Sequence, residues 1–234
     1  IFIILIMGIA TAGVVRYLRP YDPLTPPEVD STGSTQVGIQ EIVNANNKFS
    51  VDMYSQLIKA NSGNLFFSPY SISSALAMTY EGADGATAQE MKSVFYFPEN
   101  EILRPNYAAV YNILNKNDKK YELRTGNALW AQKNYKFLPE YFNTVEKYYG
   151  GKAVNLDFIK ETELSRNTIN TFIEEQTNNR IKEVIPKGML SSQTRLVLTN
   201  AIYFKGQWDI EFDKENTIDR DFKTPTETIK VDRK

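Results

Sequence analysis

The stretch Arg195-Leu196-Val197-Leu198-Thr199-Asn200-Ala201-Ile202-Tyr203-Phe204-Lys205-Gly206-Gln207-Trp208 constrains the fold more than any other part of the chain. It is rich in β-branched and aromatic residues, has no proline, and carries its only glycine, Gly206, near the end; it reads as a long strand. Leu196, Leu198, Ile202 and Phe204 fall on one face, and Val197, Ala201 and Tyr203 on the other. Both faces are largely apolar, so the pattern places the strand mid-sheet, covered on both sides. Asn200 breaks the pattern on the Leu198/Ile202 face. A buried amide without partners costs about 1–3 kcal/mol, so something polar must meet it inside the core.

The rest of the chain is large enough to supply that cover. It has 234 residues, 42% of them hydrophobic, with 14 tyrosines, enough for one large domain or two small ones. The net charge is -1, from 27 basic and 28 acidic side chains, which gives no electrostatic basis for nucleic-acid binding. There is no cysteine and no histidine. That excludes disulfides, Cys/His zinc sites and, within this chain, any nucleophile activated by a histidine. No catalytic, cofactor-binding or metal-binding residue is assigned.

Residues 1–15 are almost wholly apolar and are followed by Arg16 and Arg19. The run is shorter than the ~20 residues that span a bilayer, and Ala10-Thr11-Ala12 fits a signal-peptide cleavage site. Residues 1–18 are therefore expected to be a secretory signal or membrane anchor, and the only part to contact a membrane. The folded domain would then be extracellular, or anchored facing outside the cytoplasm. The alternative is a buried core helix, and Arg16 and Arg19 count against export because basic residues beside a span tend to stay cytoplasmic. Residues 19–40 read as a linker: Pro20, Pro23, Pro26 and Pro27 cannot sit in a helix interior, and residues 31–35 are a polar, flexible run. The expectation is a disordered tether; the alternative is an ordered arm anchored by Val37 and Ile39.

The folded body is expected over 41–234. Ile42, Ala45, Phe49, Met53 and Leu57 recur at helical spacing, and the helix ends near Asn61-Ser62-Gly63. Asn64-Leu65-Phe66-Phe67 suggests a brief buried strand. Ser68 and Pro69 open a second helix as N-cap and first-turn proline, with Ile72, Ala75, Leu76 and Thr79 inside. Thr87 and Glu90 form a capping box for a third helix, whose inner face is Met91, Val94 and Phe95 and which Phe97-Pro98 stops. Leu103, Tyr107, Val110 and Leu114 mark a fourth, with Pro105 tolerable only near its start. A long strand follows over 121–132, then a helix over 139–149 closed by Gly150-Gly151, and a half-buried strand through Val154, Leu156 and Phe158. The helix over 165–178 has a narrow apolar face, Ile169, Phe172 and Ile173, and should lie on a surface. After the 195–208 strand, residues 220–232 begin a second sheet. Helices come first and do not alternate regularly with strands, so the class is α+β.

These stretches carry a family resemblance. Asn64-Leu65-Phe66-Phe67-Ser68-Pro69-Tyr70-Ser71-Ile72 resembles the serpin motif that opens helix B. Ile169-Asn170-Thr171-Phe172-Ile173-Glu174, with Thr177 and Ile181, is similar to the helix F signature. Residues 198–208, with Phe212, are similar to strand 3 of the large serpin sheet. The resemblance covers 41–234, and the cysteine-free N-terminal extension resembles bacterial serpins. It implies a serpin-like fold, helices packed on a large central sheet, and an answer for Asn200: a shutter cluster with Ser68 and Ser71. Trp208 matches the breach tryptophan. The plain readings stand beside these, Ser68 as an N-cap and Trp208 as a core or edge aromatic.

The resemblance also implies a function without catalysis. The protein would be a metastable inhibitor whose reactive loop, once attacked by a serine protease or a cysteine protease, inserts into the large sheet and traps the enzyme. The chain ends in the opening strands of the second sheet, so the reactive-loop residues are absent from it. The C-terminal remainder of the same protein is an expected partner, whether the chain is truncated, cleaved or completed by a second chain. The alternative is a non-inhibitory serpin acting as a carrier or binding protein. A hydrolase using Glu174-Glu175 or Asp209, Glu211 and Asp213 is the third reading, but these carboxylates fit solvated surface better.

Overall fold

The computed structural model describes residues 26–116 and 120–233. The apolar segment 1–18 and the first part of 19–40 lie outside the described residues, and no helix among those described is long and apolar enough to cross a membrane.

The sheet is organised by β1 (Tyr121–Gln132), which pairs in parallel with β2 (Lys152–Leu156) and antiparallel with β3 (Leu196–Gly206), in the order β2-β1-β3. Residues 125–132 of β1 are all buried, so β1 is the covered central strand. This corrects the expectation for the 195–208 stretch. Among the described residues β3 pairs only with β1, and only Thr199 and Ala201 within it are buried. Leu196 and Phe204 are exposed at 37% and 64%. Apolar residues on both strand faces therefore mark surface that is incompletely covered among the described residues.

Helices form a layer on each side of the sheet. On one side lie α1 (Gln36–Ala60), α2 (Pro69–Tyr80), α3 (Gly85–Phe95), α4 (Asn100–Leu114) and α5 (Pro139–Tyr149). Ile42, Phe49, Met78, Leu103, Tyr107, Val145 and Tyr149 pack there with Leu129 of β1 and Leu198 of β3. On the other side α6 (Thr162–Gln176) turns Ile169, Phe172 and Ile173 onto Ala128, Trp130 and Ala201, as its narrow apolar stripe requires. A separate hairpin, β4 (Ile218–Lys223) and β5 (Thr228–Arg233), forms the two-stranded second sheet.

Several local expectations need correction. Residues 26–40 are not a tether up to a boundary at Glu41. α1 starts at Gln36, capped by Thr35, whose side chain accepts from Gly38 N at 3.0 Å. Before it, Val29 is buried, and the Asn112 amide pairs with both of its backbone groups at 3.1 and 2.8 Å. The arm is anchored by Val29; of the two residues expected to anchor it, Val37 is 79% exposed and Ile39 packs partly buried against the helical core. One side-chain amide mimicking a strand neighbour leaves no periodic signal in sequence. Asn64-Leu65-Phe66-Phe67 forms no strand, and Phe66 is fully exposed. α3 begins two residues before Thr87, at Gly85 after Asp84, without a side-chain cap, and Val94 faces solvent. In α2 the buried residues are Ser73, Ser74, Ala77 and Met78, and Thr79 is exposed. Small residues let that helix approach the sheet closely, and the buried Ser74 hydroxyl accepts from Asn127 across the interface. Pro105 sits in the second turn of α4.

Candidate functional site: a polar cluster beneath the sheet

α2 meets β1 and β3 where their two asparagines lie side by side. The β1–β3 register sets Asn127 directly opposite Asn200 and Leu129 opposite Leu198, so all four share the face toward α2. Ser68 caps α2 and accepts from Ser71 N at 3.2 Å. That start fixes the helical phase, and Ser71 and Ser74, three residues apart, point to the same side.

The hydrogen bonds form one chain. Ser71 Oγ donates to Asn200 Oδ1. Asn200 Nδ2 donates to Asn127 Oδ1 at 2.5 Å. Asn127 Nδ2 then donates to Ser74 Oγ at 3.2 Å and to the Tyr149 carbonyl at 3.1 Å. Asn127 is 1% exposed and Ser74 fully buried, and these bonds offset the cost of burying their polar groups. The polar partner that Asn200 demands is therefore present.

Of the three residues expected to cluster, the structure brings Ser71 and Asn200 together. It leaves Ser68 as the helix cap, with its hydroxyl on Ser71 N and the residue itself exposed. Two members were missed, Ser74 and Asn127. Both had a signal: Ser74 lies one helical turn beyond Ser71, and Asn127 interrupts an apolar strand as Asn200 does. Trp208 lies beyond the end of β3, is 74% exposed, and meets Phe212 edge-on at 6.1 Å, apart from the cluster.

Tyr149 extends the cluster outward. Its hydroxyl donates to Glu81 Oε1 at 2.7 Å. Glu81 is held by the Arg104 guanidinium through bonds of 2.7 to 3.2 Å, and its side chain is 1% exposed. Burial, and secondly the Glu81 charge, push the Tyr149 hydroxyl pKa well up.

The opposite sheet face carries a second polar contact. Trp130 Nε1 donates to Thr199 Oγ1 at 2.9 Å under α6. Asn170 of α6 clamps the segment that leads into β3: its Oδ1 accepts from Val184 N at 3.1 Å and Ile185 N at 2.9 Å, and its Nδ2 donates to Ile185 O at 3.0 Å.

The carboxylates of the third reading do not converge. Asp209 pairs with Lys120 at 2.8 Å, and Asp213 accepts from Glu215 N and Asn216 Nδ2. Asp209, Glu211, Asp213 and Glu175 are exposed. Among the described residues no cluster of acidic side chains is placed to hold a metal ion.

A family profile described as Serpin (serine protease inhibitor) matches residues 44–232. The chain belongs to the serpin family. An uncharacterised serpin-like protein of Methanosarcina mazei, an archaeon, is 46% identical over 186 residues, which is 78% of this chain and 44% of that protein. The bovine (Bos taurus) leukocyte elastase inhibitor is 40% identical over 197 residues, 82% of this chain and 52% of that protein. The structure of emu (Dromaius novaehollandiae) ovalbumin superposes with a TM-score of 0.76 at 30% identity, covering 82% of this chain and 54% of that one. The chain thus spans about half the length of the relatives it matches. It has an α+β serpin fold, in a family whose profile is described as one of serine protease inhibitors.

Proposed function

We propose that the full protein inhibits a serine protease by suicide-substrate trapping, with a reactive loop that inserts beside β3. The observation that carries this reading is the combination at β3: a strand paired on one side only among the described residues, held from beneath by the Ser71–Asn200–Asn127–Ser74 chain. A loop inserting at that edge would gain backbone hydrogen bonds with β3. The side-chain chain on α2 would resist separation of the sheet until insertion begins. In this reading Ser71 and Asn200, with Ser74 and Asn127, form the shutter, and Ser68 supports it by capping α2. Trp208 marks the breach at the end of the strand. The loop and the second wall of the slot belong to the length that the relatives have and this chain does not span. The name of the bovine relative, an elastase inhibitor, supports a protease partner.

Incubation of the full-length protein with a panel of serine and cysteine proteases tests the reading. An SDS-stable complex with at least one protease is the expected result. Cleavage of the loop by every protease without a complex would instead assign a carrier or binding role. From the apolar run 1–15 we further propose that the domain lies outside the cytoplasm, exported or anchored through residues 1–18. Fractionation of the source cells checks this, and recovery only from the cytosol with residues 1–18 attached and unbound to membrane would overturn it.

A further inference from the structure

The shutter residues are tied to the Arg104–Glu81 ion pair through a single tyrosine, held at both ends. The Tyr149 carbonyl accepts from Asn127 Nδ2 at 3.1 Å, while its hydroxyl donates to Glu81 Oε1 at 2.7 Å. The position leaves the residue little freedom. Gly150 follows with φ +63, and a Cβ there would lie 2.4 Å from Tyr111 Cζ. The ring of Tyr149 packs on Tyr107 at 5.2 Å. At the outer end, Glu81 is a buried carboxylate, and such a charge is kept in place only by a well-formed counter-ion. Arg104 provides it in fork geometry from α4, with its own side chain 36% exposed.

We propose that Arg104, Glu81 and Tyr149 are positioning residues for the shutter: the ion pair fixes the tyrosine ring, and the ring fixes the carbonyl that holds Asn127 against Asn200. The inference rests on the reading of Asn200 as a shutter residue. It goes beyond that reading by making the stiffness of β3 depend on a contact between the C-terminal end of α2 and α4. The links run through four residues from four different elements or their ends: Asn200 from β3, Asn127 from β1, Tyr149 from α5, through its carbonyl and its hydroxyl, and Glu81 from the residue after α2.

Tyr149→Phe removes one hydroxyl and leaves the ring packing intact. The measurement is amide hydrogen exchange of the full-length protein, comparing peptides over 196–206 with peptides over 36–60 in α1. The expected result is exchange in β3 faster by about fivefold or more, since a bond to a buried charged group is lost, with α1 unchanged. Asn200→Ala is run alongside and should also accelerate β3. If Asn200→Ala accelerates β3 and Tyr149→Phe does not, the positioning role is overturned and the shutter reading stands. If Tyr149→Phe accelerates all peptides alike, the tyrosine serves general stability, and the positioning role is again overturned. If neither variant affects β3, the shutter reading fails and the inference with it.

Discussion

At the scale of single residues, Asn200 distinguishes a stabilising contact from a switch. Asn200→Ala in the full-length protein removes both bonds of the amide and leaves Ser71 Oγ and Asn127 Oδ1 without their partner. The expected loss of stability is about 1–3 kcal/mol. In an ordinary sheet that loss lowers the denaturation midpoint and nothing more. If the sheet must open beside β3, the same loss also lowers the barrier to opening, so conversion to inactive latent or polymeric forms on gentle heating should accelerate. Glu175→Ala, on the exposed face of α6, is the control, where substitutions change stability by less than about 0.5 kcal/mol. Equal inactivation rates for the two variants would remove Asn200 from any switch. At this scale the sequence was partly legible. An amide on an apolar strand face announces a buried partner, and that logic applied equally to Asn127. What sequence could not supply was the β1–β3 register that places the two opposite each other, because register is set by pairing across about seventy residues of chain.

At the scale of elements, periodicity located most helices and strands because their buried faces are long. β1 and α5 occupy the ranges expected, and α6 buries the stripe Ile169, Phe172 and Ile173. The failures share a cause: contacts made by one or two residues. The Val29 arm is held by Asn112, and α2 buries Ser73 and Ser74 beside Ala77 and Met78 rather than a purely apolar stripe. The join between α6 and β3 belongs to this class. Residues 177–195 carry no regular element, yet Asn170 fixes Val184 and Ile185 with three bonds, and Arg166 Nη1 donates to Ile185 O at 3.1 Å. Asn170→Ala would leave two backbone N–H groups unpaired, at a cost of about 1–3 kcal/mol. It should release the segment locally: limited trypsinolysis ought to nick at the exposed Lys182 and Lys187 several-fold faster than in the unmodified protein. Unchanged nicking would mean that the buried Ile185 side chain, not the amide, holds the segment.

At the scale of the whole molecule, the helical layer under the sheet buries Tyr107, Tyr111 and Tyr149 and partly buries Tyr70 and Tyr141. Burial is the leading cause of the raised pKa in Tyr70, Tyr107, Tyr149 and Tyr141, the last pushed up to about 12. The folded state therefore keeps these protons at a pH where the unfolded chain, with an ordinary value of 10.0, has lost them. The unfolded state binds fewer protons there, so stability falls as pH rises. The stabilisation is fully present below about pH 10 and is lost as the pH climbs through the raised values. Alkaline unfolding should accordingly coincide with a cooperative rise in phenolate absorbance, and independent, non-cooperative titration of all tyrosines would contradict the burial.

The same scale decides whether residues 26–234 can stand alone. β3 pairs only with β1 among the described residues, and its free edge is flanked by Leu196 and Phe204, both exposed. Beyond it Trp208, Ile210 and Phe212 are 74%, 87% and 60% exposed, and the β4–β5 hairpin exposes Ile218, Phe222 and Ile229. An unpaired strand edge beside contiguous apolar surface is a template for further strand pairing. The helical core under α1–α5 is closed and should fold, so the expected species is not a random coil. It is a folded body whose edge adds to other copies. Expressed as residues 26–234, the protein should elute as a concentration-dependent series of oligomers with helical circular dichroism. Lys substitutions at Phe204 and Ile210, which put charge on the edge, should shift it toward monomer without raising the thermal midpoint of the helical core. A monodisperse monomer at high concentration, with a sharp and reversible unfolding transition, would show that β3 needs no further strand and that the slot beside it is closed by other means.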